Sequence, residues 1–317
     1  MITTLSLVFI RNLFAVVMLL GIFSLVSAGF FLTLGAPDVA LTEAAIGAGI
    51  APMLMLAVIG VTSGREKPYA HSPLLPLLVV GVTGAALIYG TLDMPHFANP
   101  EAPAHNHVAP RYIEQAKAET GVPNFVTAVL ASYRGFDTLG EVAVIFTAGI
   151  GVLALLGIAG TPQNTYSSAH MRRHLVLRVV TKSLMPLILL FALYVQFHGD
   201  YGPGGGFQAG VLFAAAFILY AMVYGLEAAC RAISPRVLLA LMALGVLIFG
   251  GTGVAAMIMG GQFLGYGALD HHDPVHGQHL GILLVEFGVG VTVAAVMMSI
   301  FYSTSGIQPK PNEERAG

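Results

Sequence analysis

The chain has 317 residues, 56% of them hydrophobic and only 9% charged, with a mean hydropathy of +0.81. Soluble domains carry about 25% charged residues, so this composition excludes a water-covered globular surface and places the chain in a bilayer. A formal net charge of −2 gives no basic footprint for nucleic acid, and the single cysteine, Cys230, excludes an internal disulfide framework and a cysteine-based zinc or iron–sulfur site.

A spanning helix needs about 20 mostly apolar residues. Eight stretches qualify, at 12–34, 39–61, 73–93, 137–159, 182–198, 206–226, 236–260 and 277–302. The runs are continuous rather than alternating, which predicts an all-α polytopic membrane protein and not a barrel. The opening MITTLSLVFIRNLFAVV lacks a signal-peptide cleavage pattern and is expected to stay as a membrane segment. The fifth run is short and contains Pro186, which predicts a tilt or kink. Lys182 at its start is expected to extend to the interface.

Between spans three and four, residues 94–122 read as a soluble loop, and 124–134 (NFVTAVLASYR) as a short amphipathic helix at the interface. Eight spans put 11 of the 14 Lys and Arg residues on the side of the N-terminus, leaving Arg111, Lys117 and Arg134 opposite. Both termini are therefore expected to be cytoplasmic. A basic, polar stretch at 161–181 divides the chain into a four-span region, 1–160, and a second four-span domain, 182–302. The polar tail is 303–317.

Ionisable residues inside spans are costly and are functional candidates. In GAPDVALTEAAIGAGI, residues 35–50, Pro37 and Asp38 suit a helix start, where an acid complements the positive helix end. Glu43 lies deeper, followed by small residues that admit a close helix contact, and suits proton or cation handling. In FDTLGEVAVIF, Thr138 and Glu141 match a capping box. Asp137 and Glu141 also share a helix face at i, i+4 spacing, where two like charges favour proton exchange. Glu286 stands about nine residues, or roughly 14 Å, into the last span, with His279 two turns earlier on the same face. No metal site is expected of His271, His272, His276 and His279, because Pro274 breaks their helical register.

The stretch HGDYGPGGGFQAG, residues 198–210, lacks the G-K-[ST] of a phosphate loop and has no preceding strand. Its glycines and Pro203 make a tight turn between two spans. Irregular backbone at membrane depth is tolerated where it is buried or lines a watery cavity. Residues 203–206 are therefore expected to dip between helices, with His198 and Gln208 at an opening.

LFALYVQFHGDYGPGGGFQAGV (190–211) and HGQHLGILLVEFGVGVTVA (276–294) resemble the B subunit of the Mrp or Mnh multisubunit Na+/H+ antiporters. LGAPDVALTEAAIGAGI (34–50) and YRGFDTLGEVAVIFTAGIGVLALLG (133–157) resemble the C-terminal tail of that family's A subunit. The resemblance implies an antiporter subunit, not an enzyme, in a bacterial or archaeal cell membrane. Its implied partners are other hydrophobic subunits and the lipid bilayer, with Na+ and H+ as transported ions and no cofactor. Carried over by motif, Asp38, Glu43, Asp137 and Glu141 match acidic positions of the A-subunit tail, and His198, Pro203, Gly204, Gly205, Gly206, Phe207 and Gln208 match the B-subunit signature. The large subunit's long series of spans with paired lysines and glutamates is not in this sequence, so the resemblance implies one subunit and not a whole antiporter. Similar modules occur in membrane-bound hydrogenases and related respiratory complexes, which leaves a sodium-handling module of such a complex, or a purely structural assembly subunit, as alternatives.

Overall fold

In hydrocarbon, backbone N–H and C=O groups have to be paired within their own segment, and each long apolar run forms one helix. The computed structural model describes residues 2–62, 64–66, 74–157 and 175–306. Most of the 161–181 stretch and the tail beyond 306 lie outside the described residues. Eight helices are long and apolar enough to cross a membrane: α1 (Leu13–Thr33), α2 (Pro37–Val61), α3 (Leu74–Thr91), α4 (Gly135–Leu156), α5 (Leu175–His198), α6 (Gly206–Tyr224), α7 (Pro235–Ile258) and α8 (Pro274–Ser305). This is a multi-pass membrane protein, and its described residues form no β-strand.

Polar residues set the ends of these helices. The side chains of Asn12, Ser234 and Asp273 accept from backbone N–H groups in the first turns of α1, α7 and α8, satisfying donors that have no intrahelical partner. Pro37, Pro235 and Pro274 stand at helix starts, where a missing N–H costs nothing. Two expectations need correction. Helix α5 begins at Leu175, runs for 24 residues and continues through Pro186, so the fifth span is not short. Lys182 is exposed on it. Helix α2 is not uniform either: immediately after Glu43 its backbone widens into a π-helical stretch, Ala44–Ile50.

The core lies around α8, which is about 48 Å long at 1.5 Å per residue. Helices α6 and α7 pack along it, and α4 and the second half of α2 reach it from the front of the chain. Glycines set these crossings. A Cβ on Gly245 would overlap the Gly288 carbonyl and Thr292, and one on Gly288 would lie 2.7 Å from the Gly245 carbonyl. Gly149 of α4 is similarly filled by Met242 and Val296. Without a hydrophobic driving force between helices in lipid, such close backbone approach is what van der Waals attraction requires. Helix α3 buries no residue.

The segment between α3 and α4 is not a plain soluble loop followed by an interfacial helix. Ala109–Thr120 and Phe125–Ala128 are helical, Val129–Tyr133 is a π turn, and Ala116, Val122, Ala128 and Ala131 are buried against the end of the bundle. Arg111 Nη2 lies 3.0 Å from Glu119 Oε1, and the Tyr133 hydroxyl donates to Glu119 Oε2. That hydroxyl holds the Glu119 carboxyl below its ordinary value against the opposing desolvation, with further help from the Arg111 guanidinium. Burial, and then the bond to Glu119, push Tyr133 up to about 12.

Three outcomes are expected. Gly288→Val forces α7 and α8 apart and costs about 1–3 kcal/mol, read as a lower melting temperature of the detergent-solubilised protein. Gly84→Ala on α3, with nothing within 4 Å, leaves the melting temperature unchanged or higher. The contribution of the Glu119 network is complete above the ordinary glutamate value of 4.5 and disappears as the pH falls through the lowered one. Amide exchange protection over 109–133, relative to the intrinsic rate, therefore falls at acid pH, and Tyr133→Phe moves that loss to higher pH.

Candidate functional site: a cavity between the two halves

The turn from α5 to α6 folds back beneath the end of α5. The N–H groups of Tyr201 and Gly202 donate to the His198 carbonyl, and Gly205 N–H donates to the Val195 carbonyl at 3.0 Å. Gly205 has φ +117, which a side chain rarely adopts. A Cβ on Gly199 would lie 2.7 Å from the Gly205 nitrogen, so this turn closes only with glycine. Gly204, Gly205 and Gly206 are buried, and the stretch is no surface connector.

Three of its carbonyls are satisfied from the front of the chain. The Asn124 amide donates to Gly199 O at 3.1 Å, Gly202 O at 3.0 Å and Asp38 Oδ1 at 3.2 Å. Thr127 Oγ1 donates to Gly199 O at 2.6 Å, and Asn124 N–H to Asp200 O at 3.0 Å. A further link joins α6 to α2, where Gln208 Nε2 donates to Thr42 Oγ1 at 2.8 Å. The 124–128 segment thus serves as a hydrogen-bonding wedge and not as a lipid-surface helix.

Below the turn lies a cavity of 570 Å³. Three carboxylates face it from three helices: Asp38 of α2, Glu141 of α4 and Glu286 of α8. Gly204, Gly205, Gly206, Phe207 and Gln208 form one wall, and Thr42, Thr127 and Thr138 add hydroxyls. Glu286 stands 12 residues, about 18 Å, beyond the start of α8 at Pro274. A Cβ on Gly205 would lie 3.2 Å from Glu286 Oε1 and 3.5 Å from Gln208 Oε1, so these two oxygens converge over the turn. Glu286 Oε2 is sealed from solvent without a hydrogen-bond partner. Acids on a cavity wall within a membrane can exchange a proton for a cation, since either neutralises the buried charge.

The other residues singled out in the sequence stand elsewhere. Glu43 does not line the cavity; with Ser24 it occupies the space over Gly47, between α2 and α1. Asp137 pairs with Arg134 at 2.5 Å, exposed, instead of facing Glu141. The expected capping box is not formed. Arg134 precedes α4 without a side-chain cap, and Thr138 Oγ1 donates to Leu130 O, a carbonyl of the preceding π turn. His198 stacks on Tyr194, with ring centroids 4.8 Å apart, and does not line the cavity. Pro203 is half-buried beside it. His279 Nε2 lies 2.9 Å from Asp200 Oδ2. Asp200, Asn124 and Thr42 were not singled out. The acid inside HGDYG could have been, because it follows a helix end and precedes glycines that place it in the protein.

Residues 176–299 match a domain related to the MnhB subunit of Na+/H+ antiporter. Residues 1–63 match the D subunit of MBH, and 75–172 match its E subunit. The putative antiporter subunit mnhB2 of Staphylococcus aureus (strain Newman) is 35% identical over 133 residues, covering 94% of that protein and 41% of this chain. The chain belongs to the MnhB-related family of antiporter subunits. This MnhB-related domain carries α5 to α8, and hence the glycine turn and Glu286. Across both halves, the chain is 28% identical to the probable K(+)/H(+) antiporter A/B subunit of Rhizobium meliloti (strain 1021), covering 87% of this chain. It spans 30% of that relative's length. A chain in the structure of the Mrp complex from Dietzia sp. DQ12-45-1b superposes with a TM-score of 0.74 at 26% identity, covering 99% of this chain and 34% of that one. A chain of an archaeal membrane-bound sulfane sulfur reductase gives 0.54 at 29% identity, covering 72% and 97%.

Asn124 carries the join between turn and wedge. Asn124→Ala leaves buried carbonyls with fewer donors and is expected to cost about 1–3 kcal/mol, with faster amide exchange at Gly202 and Gly205. Asn124→Asp places a carboxylate beside Asp38 and is expected to cost more.

Proposed function

We propose that the chain is a membrane subunit of a multisubunit monovalent cation/proton antiporter, and that its cavity is a segment of the cation route. The observation that carries this reading is the convergence of Asp38, Glu141 and Glu286, from both halves of the chain, on one cavity beneath the glycine turn. The MnhB-related domain and the likeness to a chain of an Mrp complex support it. The excess of Lys and Arg at the opposite ends of the helices puts the turn and cavity mouth outside the cytoplasm and both termini within it. Four spans on either side of a basic stretch at 161–181 then correspond to an A-type tail joined to a B-type subunit. In such a route a partly dehydrated cation moves between carboxylates, and each acid takes up a proton when the cation leaves.

A second reading has one observation in its favour, the likeness to a respiratory reductase chain. There the same module would serve a redox-driven complex. The subunits that co-purify with the chain separate the two: iron–sulfur partners favour the second reading.

The test is cation-driven proton movement in vesicles containing the assembled complex. Glu286→Gln and Glu141→Gln are each expected to lower exchange by about tenfold or more, in the range of a removed proton-transfer group. Glu43→Gln, which lies off the cavity, is expected to lower it less. Normal exchange in both the Glu286 and Glu141 variants would remove the cavity from the route.

A further inference from the structure

His279 and Asp200 stand beside the cavity but are not among the residues lining it. Their contact joins two depths of the protein, since the His279 side chain is 35% exposed and that of Asp200 only 5%. Asp200 belongs to the glycine turn, which holds it in place through the bond from Asn124 N–H to its backbone carbonyl. One carboxylate oxygen, Oδ2, meets His279 Nε2; the other, Oδ1, is sealed without a partner. A buried acid with one bare oxygen is an expensive way to pin a turn to a helix, because a neutral amide would supply the same contact. Asp200 follows Gly199, which packs directly against the Gly205 nitrogen, and Gly205 in turn lies beneath Glu286 Oε1, so one tight turn places Asp200 near this carboxyl. The turn thus carries Asp200 between a partly exposed imidazole and the glutamate on the cavity wall.

We propose that His279 and Asp200 form a proton inlet to Glu286, separate from the cavity through which the cation reaches it. The inference rests on the reading of Glu286 as an exchanging acid. A proton taken up at His279 Nδ1 displaces the one on Nε2, which passes to Asp200 Oδ2 and leaves a neutral imidazole protonated on Nδ1; exchange of that proton with water and reprotonation at Nε2 resets the ring. Asp200 then delivers a proton to Glu286 as the cation departs, and both carboxyls recover their former state when Glu286 releases it. Histidine suits the outer position, because its ordinary pKa lets it take up and release protons near neutrality. Other titratable groups lie on the elements around the start of α8. They are the Arg111–Glu119–Tyr133 network, the Asp270–His276 pair and Tyr266. Each pair or network is engaged within itself, and Asp200 is the acid that contacts His279 among the described residues.

Because proton and cation enter separately, the inlet is testable. Cation occupancy is read in the assembled complex as the protection that Na+ gives Glu286 against dicyclohexylcarbodiimide, measured on the Glu286 peptide by mass spectrometry. Proton movement is read in vesicles across a range of pH. Asp200→Asn and His279→Ala are expected to lower exchange by about tenfold or more while leaving Na+ protection intact, and added imidazole is expected to restore exchange to His279→Ala. Unchanged exchange and pH profile in both variants would overturn the inlet. So would loss of Na+ protection together with exchange, since the pair would then shape the cation's site. If Asp200→Asn does not assemble, His279→Ala with imidazole rescue decides alone. Normal exchange in Glu286→Gln would instead remove the exchanging acid on which the inlet rests, and normal exchange in Glu141→Gln as well would overturn the cation route; both results are distinct from a failed inlet beside an essential Glu286.

Discussion

The glycine turn between α5 and α6 brings bare backbone into the buried end of the bundle, and its carbonyls have to find donors. An unpaired backbone group in hydrocarbon costs several kcal/mol. Gly199 O takes donors from Asn124 and Thr127, and Gly202 O takes a second from Asn124. The donors come from a segment more than seventy residues away, in the other half of the chain. That requirement brings the Asn124 wedge to the end of the bundle, sets Asp38 beside it and closes the roof over the cavity.

Packing is graded across the bundle for a related reason. Helices α6 and α8 are the most buried, and α1 to α3 present mostly apolar side chains outwards. In lipid these outward faces carry no penalty, and tight association depends on how near two backbones can come. The reciprocal Gly245 and Gly288 contact and the approach of Gly206 to the Glu286 carbonyl supply that nearness. The second contact also fixes where the Glu286 side chain leaves α8, directly under the turn.

Long-period features were legible in the sequence. Eight apolar runs gave eight helices within a few residues at most ends, because backbone pairing in a bilayer leaves few alternatives. The start of α5 was misplaced because Arg178 and Lys182 look like loop residues, although both can extend from a helix to the interface. At the site, Glu286 and Glu141 stood out as acids inside apolar runs, and both face the cavity. Glu43 stood out on the same grounds and faces α1 instead. One-dimensional spacing gives a residue's depth, but the π-helical stretch after Glu43 alters which side of α2 its neighbours present. Asn124 was illegible because its role depends on contacts across 75 to 86 residues, whereas Asp200 was marked by its place in HGDYG but its pairing with His279 was not. The capping box at Thr138 failed for a local reason: the π turn before α4 leaves Leu130 O open to the same hydroxyl.

The cavity wall is shared between halves that elsewhere need not be joined, since the Staphylococcus aureus relative matches little beyond the back half. Covalent connection has a simple physical consequence. The wedge and the turn are present in a fixed one-to-one ratio, and their meeting is intramolecular, at an effective concentration that short tethers raise to the millimolar range. A weak set of hydrogen bonds can then hold the roof without a large apolar interface of its own.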